Sequence, residues 1–392
     1  MKKYVLRQLP FILEGGKSKK NNRIHNDDNE EGTVEQLKKK YGEEKFIKDF
    51  NLYCKNYPYT PSILPIVSRI IVMGDIHGDY ELAIKLLKLG NLIKMENDKI
   101  IWNGGQTVVV QVGDQIDRCR PVDNLTCDNS NTTYKDEASD IKILKLFTDL
   151  DIQARKDKGM VISLLGNHEL MNSMGQLTYV SQLGIDEFDK YKDTENPKKI
   201  FDSPTDARKY AFSPGNEYGR FLGCTRLPAV VIGSNLFVHA GMINSIVDLL
   251  KIKEKSDIKT INIAVKSWLL GILDQEKVNK IITSKKSIFW TRILGGIPPN
   301  VNISNKICLE HLDNVLEIFK INNIIIGHTP QSFSYNDGIN STCGGKIWRV
   351  DNGSSSAFHK FDEQFVKTGI VTHSRRPQVL EILNDKTFNV IG

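Results

Sequence analysis

An α/β fold with parallel strands and flanking helices is what this chain predicts. Short β-branched apolar runs recur along it: Ser68 to Met73, Thr107 to Val112, Val161 to Leu165, Leu236 to Val238 and Ile324 to Ile326. Glycine bounds them, which marks buried strands. Helical spacing fills gaps between the early runs, and strand, loop, helix, strand is the order that gives parallel neighbours. Each run also leads into residues that ligate metals or carry protons. The five blocks are Gly74-Asp75-Ile76-His77-Gly78, Gly113-Asp114-Gln115-Ile116-Asp117-Arg118, Gly166-Asn167-His168-Glu169, His239-Ala240-Gly241 and Gly327-His328-Thr329. Aspartate, asparagine and histidine at the ends of several such strands converge on one sheet edge. That convergence makes a metal site, and this many ligands suits two ions.

The elements follow in order. Residues 15 to 32 are polar, with an acidic run Asp27-Asp28-Asn29-Glu30-Glu31, and read as disordered. Leu37, Tyr41, Phe46, Ile47 and Phe50 recur at roughly helical spacing, so a docking helix is expected within 34–54. Pro58, Pro61 and Pro65 form a stiff lead-in to the first strand. Residues 1–60 are thus an N-terminal extension and 61–392 the main domain. Tyr80 to Leu89 is a helix with Leu82, Ala83, Leu86 and Leu87 apolar and Asp79 as N-cap. Residues 119–139 are polar and read as a surface insertion beside the ligand-bearing edge. Ser139 to Arg155 is the crossover helix, carrying Ile141, Leu144, Leu146, Phe147 and Leu150. Stretches 171–227 and 243–320 supply helices above the site, and Lys346 to Asp351 and Gln378 to Leu383 read as late strands.

Composition narrows the class. The chain has 392 residues, 40% hydrophobic, enough for one large core. The net charge of +6 is modest but uneven, with Lys17, Lys19, Lys20 and Lys38-Lys39-Lys40 in the first fifty residues. Such an arm is either a solvated, mobile tail or a weak contact with acidic proteins, nucleic acid or membrane, and with its helix the extension could serve as a docking segment for a partner. No aromatic residues interleave these lysines, so no nucleic-acid groove is indicated. No apolar run approaches the roughly 18 residues that cross a bilayer. Arg7 and Gln8 break the apolar start too early for a signal peptide. An intracellular, soluble and cytoplasmic protein is the expectation. Cys54, Cys119, Cys127, Cys224, Cys308 and Cys343 form no C-x-x-C pair. Free thiols are expected there, with a Cys119–Cys127 loop as the alternative.

In order and wording, the five blocks resemble the phosphoprotein phosphatases of the calcineurin-like metallophosphoesterase superfamily. Leu164-Leu165-Gly166-Asn167-His168-Glu169-Leu170-Met171-Asn172 followed by Tyr179-Val180 narrows this to the Shewanella-like protein phosphatases, as do Trp290-Thr291-Arg292 and Val350-Asp351-Asn352-Gly353-Ser354. The resemblance covers about residues 66 to 385. It implies a central β-sandwich of mixed sheets flanked by helices, with a dinuclear site at the strand ends. By resemblance, Asp75, His77 and Asp114 hold one ion, and Asp114, Asn167, His239 and His328 the other. Carboxylate, amide and imidazole donors without thiolate suit Mn, Fe, Co or Zn in a catalytic rather than a structural setting.

The implied activity is hydrolysis of phosphoserine, phosphothreonine or phosphotyrosine in proteins, with no phosphoenzyme. The metals' residual positive charge suits a phosphate group. His168 is the implied general acid and Asp117 orients it. Arg118 and Arg292 are the implied phosphate ligands, guanidinium being matched to phosphate in shape and charge. Other readings of single residues stay open. Asp117 could simply pair with Arg118, Arg292 could be a surface arginine, and Asp351 could be an outer-shell residue or a turn. His25, His311, His359 and His373 have no motif context. Cys119 replaces a glycine usual in the second block, which would strain it if the backbone needs positive φ. It also offers a thiol near the metals, open to inhibitory oxidation. Two other functions fit the same blocks: a small-molecule phosphoesterase, such as a dinucleoside polyphosphate hydrolase, and a silent phosphoprotein-binding scaffold.

Overall fold

A computed structural model of the chain describes residues 32–122, 125–332, 338–360, 362 and 376–392. Almost all of the 15–32 stretch with its lysines, as well as His25 and His373, lies outside these residues.

Two six-stranded sheets pack face to face. The first runs β1 (Ile63–Leu64), β8 (Ala229–Ile232), β9 (Asn235–Val238), β10 (Asn323–Ile326), β12 (Ile347–Arg349) and β11 (Asn340–Thr342). The second runs β14 (Thr387–Ile391), β13 (Val379–Leu383), β2 (Arg69–Met73), β5 (Val108–Gln111), β6 (Met160–Leu164) and β7 (Arg226–Leu227). A hairpin of β3 (Ile93–Glu96) and β4 (Lys99–Trp102) stands apart. Both large sheets are mixed. β2, β5, β6 and β7 run parallel while β13 joins β2 antiparallel, and β10 is parallel to β9 and β12.

The alternation of side chains explains the layering. Along β2, Ile70 and Val72 face the inter-sheet core, with Val108, Val110, Ile162, Val230, Phe237 and Ile325. Ile71 and Met73 face the other way, onto Leu82, Leu86, Ile143 and Phe147. Strands covered on both faces read as unbroken apolar runs, which is why they are legible in sequence. The covering helices are α3 (Tyr80–Leu89) and α4 (Asp140–Lys156). Asp79 caps α3 by accepting from Leu82 N at 2.9 Å. On the other sheet Leu236, Val238, Ile324 and Ile326 pack on helices that include α8 (Asp257–Leu269) and α9 (Lys306–Phe319).

Two helices, α1 (Val34–Lys40) and α2 (Glu43–Tyr53), precede the sandwich and are separated by Tyr41 and Gly42. Tyr41, Phe46, Phe50 and Cys54 bury against Cys224, Ile263 and Leu270, which belong to α7 (Glu217–Thr225), α8 and its end.

The cysteines require a correction. All six are paired, as Cys54–Cys224, Cys119–Cys127 and Cys308–Cys343, and none is free. Spacing could not reveal this, because two bridges join segments that only the fold brings together. Cys119 is fully buried, and its φ is not positive. It therefore carries neither the strain nor the reactive thiol expected of it. Among the described residues, no helix is long and apolar enough to cross a membrane.

Candidate metal centre

Five strands deliver the candidate ligands. β2, β5 and β6 end at Asp75/His77, Asp114 and Asn167, while β9 and β10 end at His239 and His328. The two sheets thus meet at one edge through their strand ends. The chain must turn sharply there: His77, Asp114, Asp117 and His328 have φ of 49°, 53°, 72° and 66°. Left-handed backbone at non-glycine residues is costly and clusters at functional sites. Close approach demands glycine beside them, since a Cβ at Gly166 or Gly327 would overlap the carboxylate of Asp114 or Asp75.

Asp114 Oδ2 is the focus. It lies 3.8 Å from His77 Nε2, 3.8 Å from His168 Nε2 and 3.3 Å from His239 Nε2. His239 Nε2 is 3.0 Å from Asn167 Oδ1, and His77 Nε2 is 3.8 Å from Asp75 Oδ2. Two groups of mutually close donors emerge, His77–Asp114–His168 and Asp114–His239–His328. Donors bound at about 2.0–2.2 Å to one ion at angles of roughly 90–140° stand roughly 3–4 Å apart, so the spacing fits metal ligation. Backbone carbonyls hold the other ring nitrogens. Ile116 O faces His77 Nδ1 at 3.4 Å, Val112 O faces His239 Nδ1 at 2.8 Å, and Trp290 O faces His328 Nε2 at 3.2 Å. Such contacts set which nitrogen is left for a metal.

Electrostatics point the same way. Burial and the neighbouring carboxylates of Asp351 and Asp114 raise the Asp75 pKa well above the carboxylate range. Burial pushes His77 and His328 well below the usual imidazole value, with Arg120 and Arg292 respectively adding to it. Burial opposes the charged form of Asp114 as well, but His239, His168 and His77 outweigh it and hold the pKa low. Asp351 is 2% exposed, its Oδ2 has no hydrogen-bond partner among the described residues, and burial lifts its pKa to about 6. A buried crowd of carboxylates with an orphaned oxygen, beside His77 and His328 held toward the neutral form, suits divalent ions, which supply positive charge.

His168 opens α5 (Asn167–Ser173) and has a different partner. Its Nδ1 lies 2.8 Å from Asp117 Oδ2, leaving Nε2 toward the centre. Asn172 donates to both Asp117 oxygens at 2.9 and 3.1 Å. Behind it, fully buried Arg208 donates to Asn172 Oδ1 at 2.9 Å and Asp140 Oδ2 at 2.7 Å. Glu169 ties the second and third blocks together, accepting from Gly166 N, Asp114 N and Gln115 N.

The arginines differ in setting. Arg118 Nη1 donates to Gly78 O at 2.8 Å and to Glu137 at 2.7 Å, while its buried Nε lacks a partner among the described residues. Arg292 is half-buried and donates to His328 O at 2.6 Å. Arg120 was not anticipated. Burial lowers its pKa, against the opposing influence of Tyr179, Asp114, Asp117 and Asp351. Its only sequence signal is its place two residues after the second block. Asn172 closes the Leu164–Asn172 motif, whereas Arg208 belongs to no motif and only the fold reveals it. His359 stacks on Tyr134 of the insertion at 3.7 Å between ring centroids, and neither it nor His311 belongs to the donor groups.

Comparison with known proteins agrees with this geometry. The family model described as calcineurin-like phosphoesterase matches residues 68–332. An uncharacterised protein, R398, of Acanthamoeba polyphaga mimivirus is 38% identical over 252 residues, 61% of this chain and 94% of that protein. Shewanella-like protein phosphatase 2 of Arabidopsis thaliana is 25% identical over 352 residues, 82% of this chain and 77% of that protein. Among solved structures, a cold-active protein tyrosine phosphatase superposes with a TM-score of 0.55 at 21% identity, covering 84% of this chain and 80% of that one. That likeness shows a shared fold. Taken with ligand-bearing strand ends from both sheets, the match over residues 68–332 means that this chain belongs to the calcineurin-like phosphoesterase family.

Proposed function

We propose that this chain is a dinuclear metal-dependent phosphomonoesterase that dephosphorylates serine or threonine, or alternatively tyrosine, in phosphoproteins. The observation that carries the proposal is the meeting of donors from both sheets around Asp114 Oδ2. The relatives named protein phosphatases favour a protein substrate over a small molecule. Asp75, His77 and Asp114 would hold one ion, and Asp114, Asn167, His239 and His328 the other, with Mn, Fe, Zn or Co as candidates. When bound, such a pair lowers the pKa of water and neutralises phosphoryl charge.

The chain's own residues do the rest. His168 presents Nε2 and donates its proton to the departing alkoxide oxygen. Asp117 accepts from Nδ1 and so fixes the ring, while Asn172 holds Asp117. Arg118, whose Nε has no partner among the described residues, addresses the phosphate oxygens together with Arg292. Three disulfides favour an environment where disulfides persist rather than a reducing cytoplasm.

The test is phosphate release from phosphoserine, phosphothreonine and phosphotyrosine peptides and from diadenosine tetraphosphate, with Mn²⁺ added, for wild type and His168→Asn. Peptide turnover that collapses in the variant supports the reading, and the peptide ranking separates Ser/Thr from Tyr. Turnover of the dinucleotide alone moves the enzyme to small molecules. Absence of all turnover in metal-loaded protein leaves only the scaffold reading.

A further inference from the structure

The second block is followed by Cys119-Arg120-Pro121, and each residue restrains the arginine between them. The Cys119–Cys127 disulfide anchors the chain on one side. Cys119 N also donates to Tyr179 O at 3.1 Å. On the other side, a following proline confines Arg120 to extended backbone. The side chain folds back over the metal-binding loop. Its Nη1 donates to Asp117 O at 3.1 Å and Cys119 O at 2.7 Å. The guanidinium lies over the Phe358 ring at 4.8 Å and the Tyr179 ring at 5.5 Å. Those rings in turn touch the centre, Phe358 against His77 at 5.5 Å and Tyr179 against His168 at 5.0 Å. Arg120 therefore sits in a wall that runs from one candidate metal ligand to the candidate acid.

Asp114, Asp117 and Asp351 act on the charge of Arg120 from a distance, but none of them pairs with it directly. Among the described residues no carboxylate lies within ion-pairing distance of Arg120, whereas Arg118 pairs with Glu137 at 2.7 Å. Its hydrogen-bond partners are both neutral carbonyls, and aromatic faces flank it. A half-buried guanidinium held rigidly without an anion is prepared for an anion that arrives.

We infer that Arg120 is a substrate-binding residue of this phosphatase, contacting the phosphate of the bound phosphomonoester in addition to Arg118 and Arg292. The inference rests on the proposed activity. Its sequence origin is the Cys119-Arg120-Pro121 tail that follows the second block. The disulfide and the proline fix the backbone, and the two rings fix the plane of the fork. Binding then costs little side-chain ordering.

The experiment compares full-length wild type, Arg120→Ala, Arg120→Lys and Arg120→Gln, all Mn²⁺-loaded, with circular dichroism and metal content confirming fold and loading. Binding of inorganic phosphate is measured by calorimetry, and aryl phosphate hydrolysis gives kcat and KM separately. Arg120→Ala is expected to weaken phosphate binding about 10-fold or more, the loss of a charge-assisted contact. Lysine should retain part of the affinity, because it keeps the charge and loses the fork. Added guanidinium should restore part of the alanine variant's kcat/KM. Should alanine prevent folding, lysine and glutamine carry the test. Phosphate affinity within twofold of wild type in the folded variants overturns the inference, as does a loss of metal that accounts for the whole defect. A wild type that binds phosphate yet hydrolyses no ester removes the proposed activity instead, and a normal phosphate affinity in Arg120→Gln would then separately remove Arg120's role.

Discussion

Asp117 accepts from His168 Nδ1 at 2.8 Å and from Asn172 Nδ2, so one carboxylate sets the tautomer, plane and charge environment of the imidazole. Asp117→Asn keeps the shape, removes the negative charge and turns one carboxylate oxygen into an NH2 donor, so a proton on Nδ1 is no longer required. We expect kcat on an aryl phosphate to fall about 100- to 10,000-fold, the usual share of a general acid. Metal content by mass spectrometry should stay unchanged, since Asp117 is outside both donor groups. A variant that loses metal in step with activity would instead make Asp117 part of the ligand scaffold. The five blocks were readable at this scale because each condenses its chemistry into a few adjacent residues. Arg208 was not readable, since its partners Asn172 and Asp140 are far from it in sequence and meet it only in the fold.

Elements show where sequence patterns suffice. Buried strands such as Ile70-Ile71-Val72 announce themselves because both faces are covered by apolar layers. The hairpin of β3 and β4 does not, since Lys94, Met95, Glu96 and Lys99 are exposed and break the pattern. The contact between α2 and α8 hides a titratable group. Lys266 is 4% exposed, lies 5.4 Å from the Phe50 ring and donates to Arg226 O at 3.1 Å. Burial, helped by the Arg226 charge, pulls its pKa down to about 7 from 10.5. The unfolded chain then binds a proton that the native state lacks between these values, so this group adds stability as pH rises from about 7 toward 10.5 and loses it as pH falls through 7. Lys266→Met should raise the melting temperature most near pH 6 and progressively less above pH 8. A melting shift that is flat across pH 6–9 would contradict the assignment.

At the scale of the whole molecule, covalent links span what the sheets leave separate. Cys54 and Cys224 are 170 residues apart and pin the helices of the extension to the sandwich. In the chain-entropy account a loop of that length contributes about 5 kcal/mol. The double substitution Cys54→Ser/Cys224→Ser should therefore lower the melting temperature by several degrees without changing kcat on an aryl phosphate. Unreduced, denatured wild type should show no reactive thiol. Free thiols there would reopen the sequence-based expectation for the cysteines.

The place of β13 has a temporal meaning. This strand, Val379–Leu383, lies between β14 and β2 and pairs Leu380 with Val72 and Ile382 with Ile70. The strand that presents Asp75 and His77 is made hundreds of residues before its second neighbour. Until then β2 has an open edge, and the inter-sheet core lacks Leu380 and Ile382. A nascent chain therefore carries a half-paired strand while the residues between β2 and β13 are made.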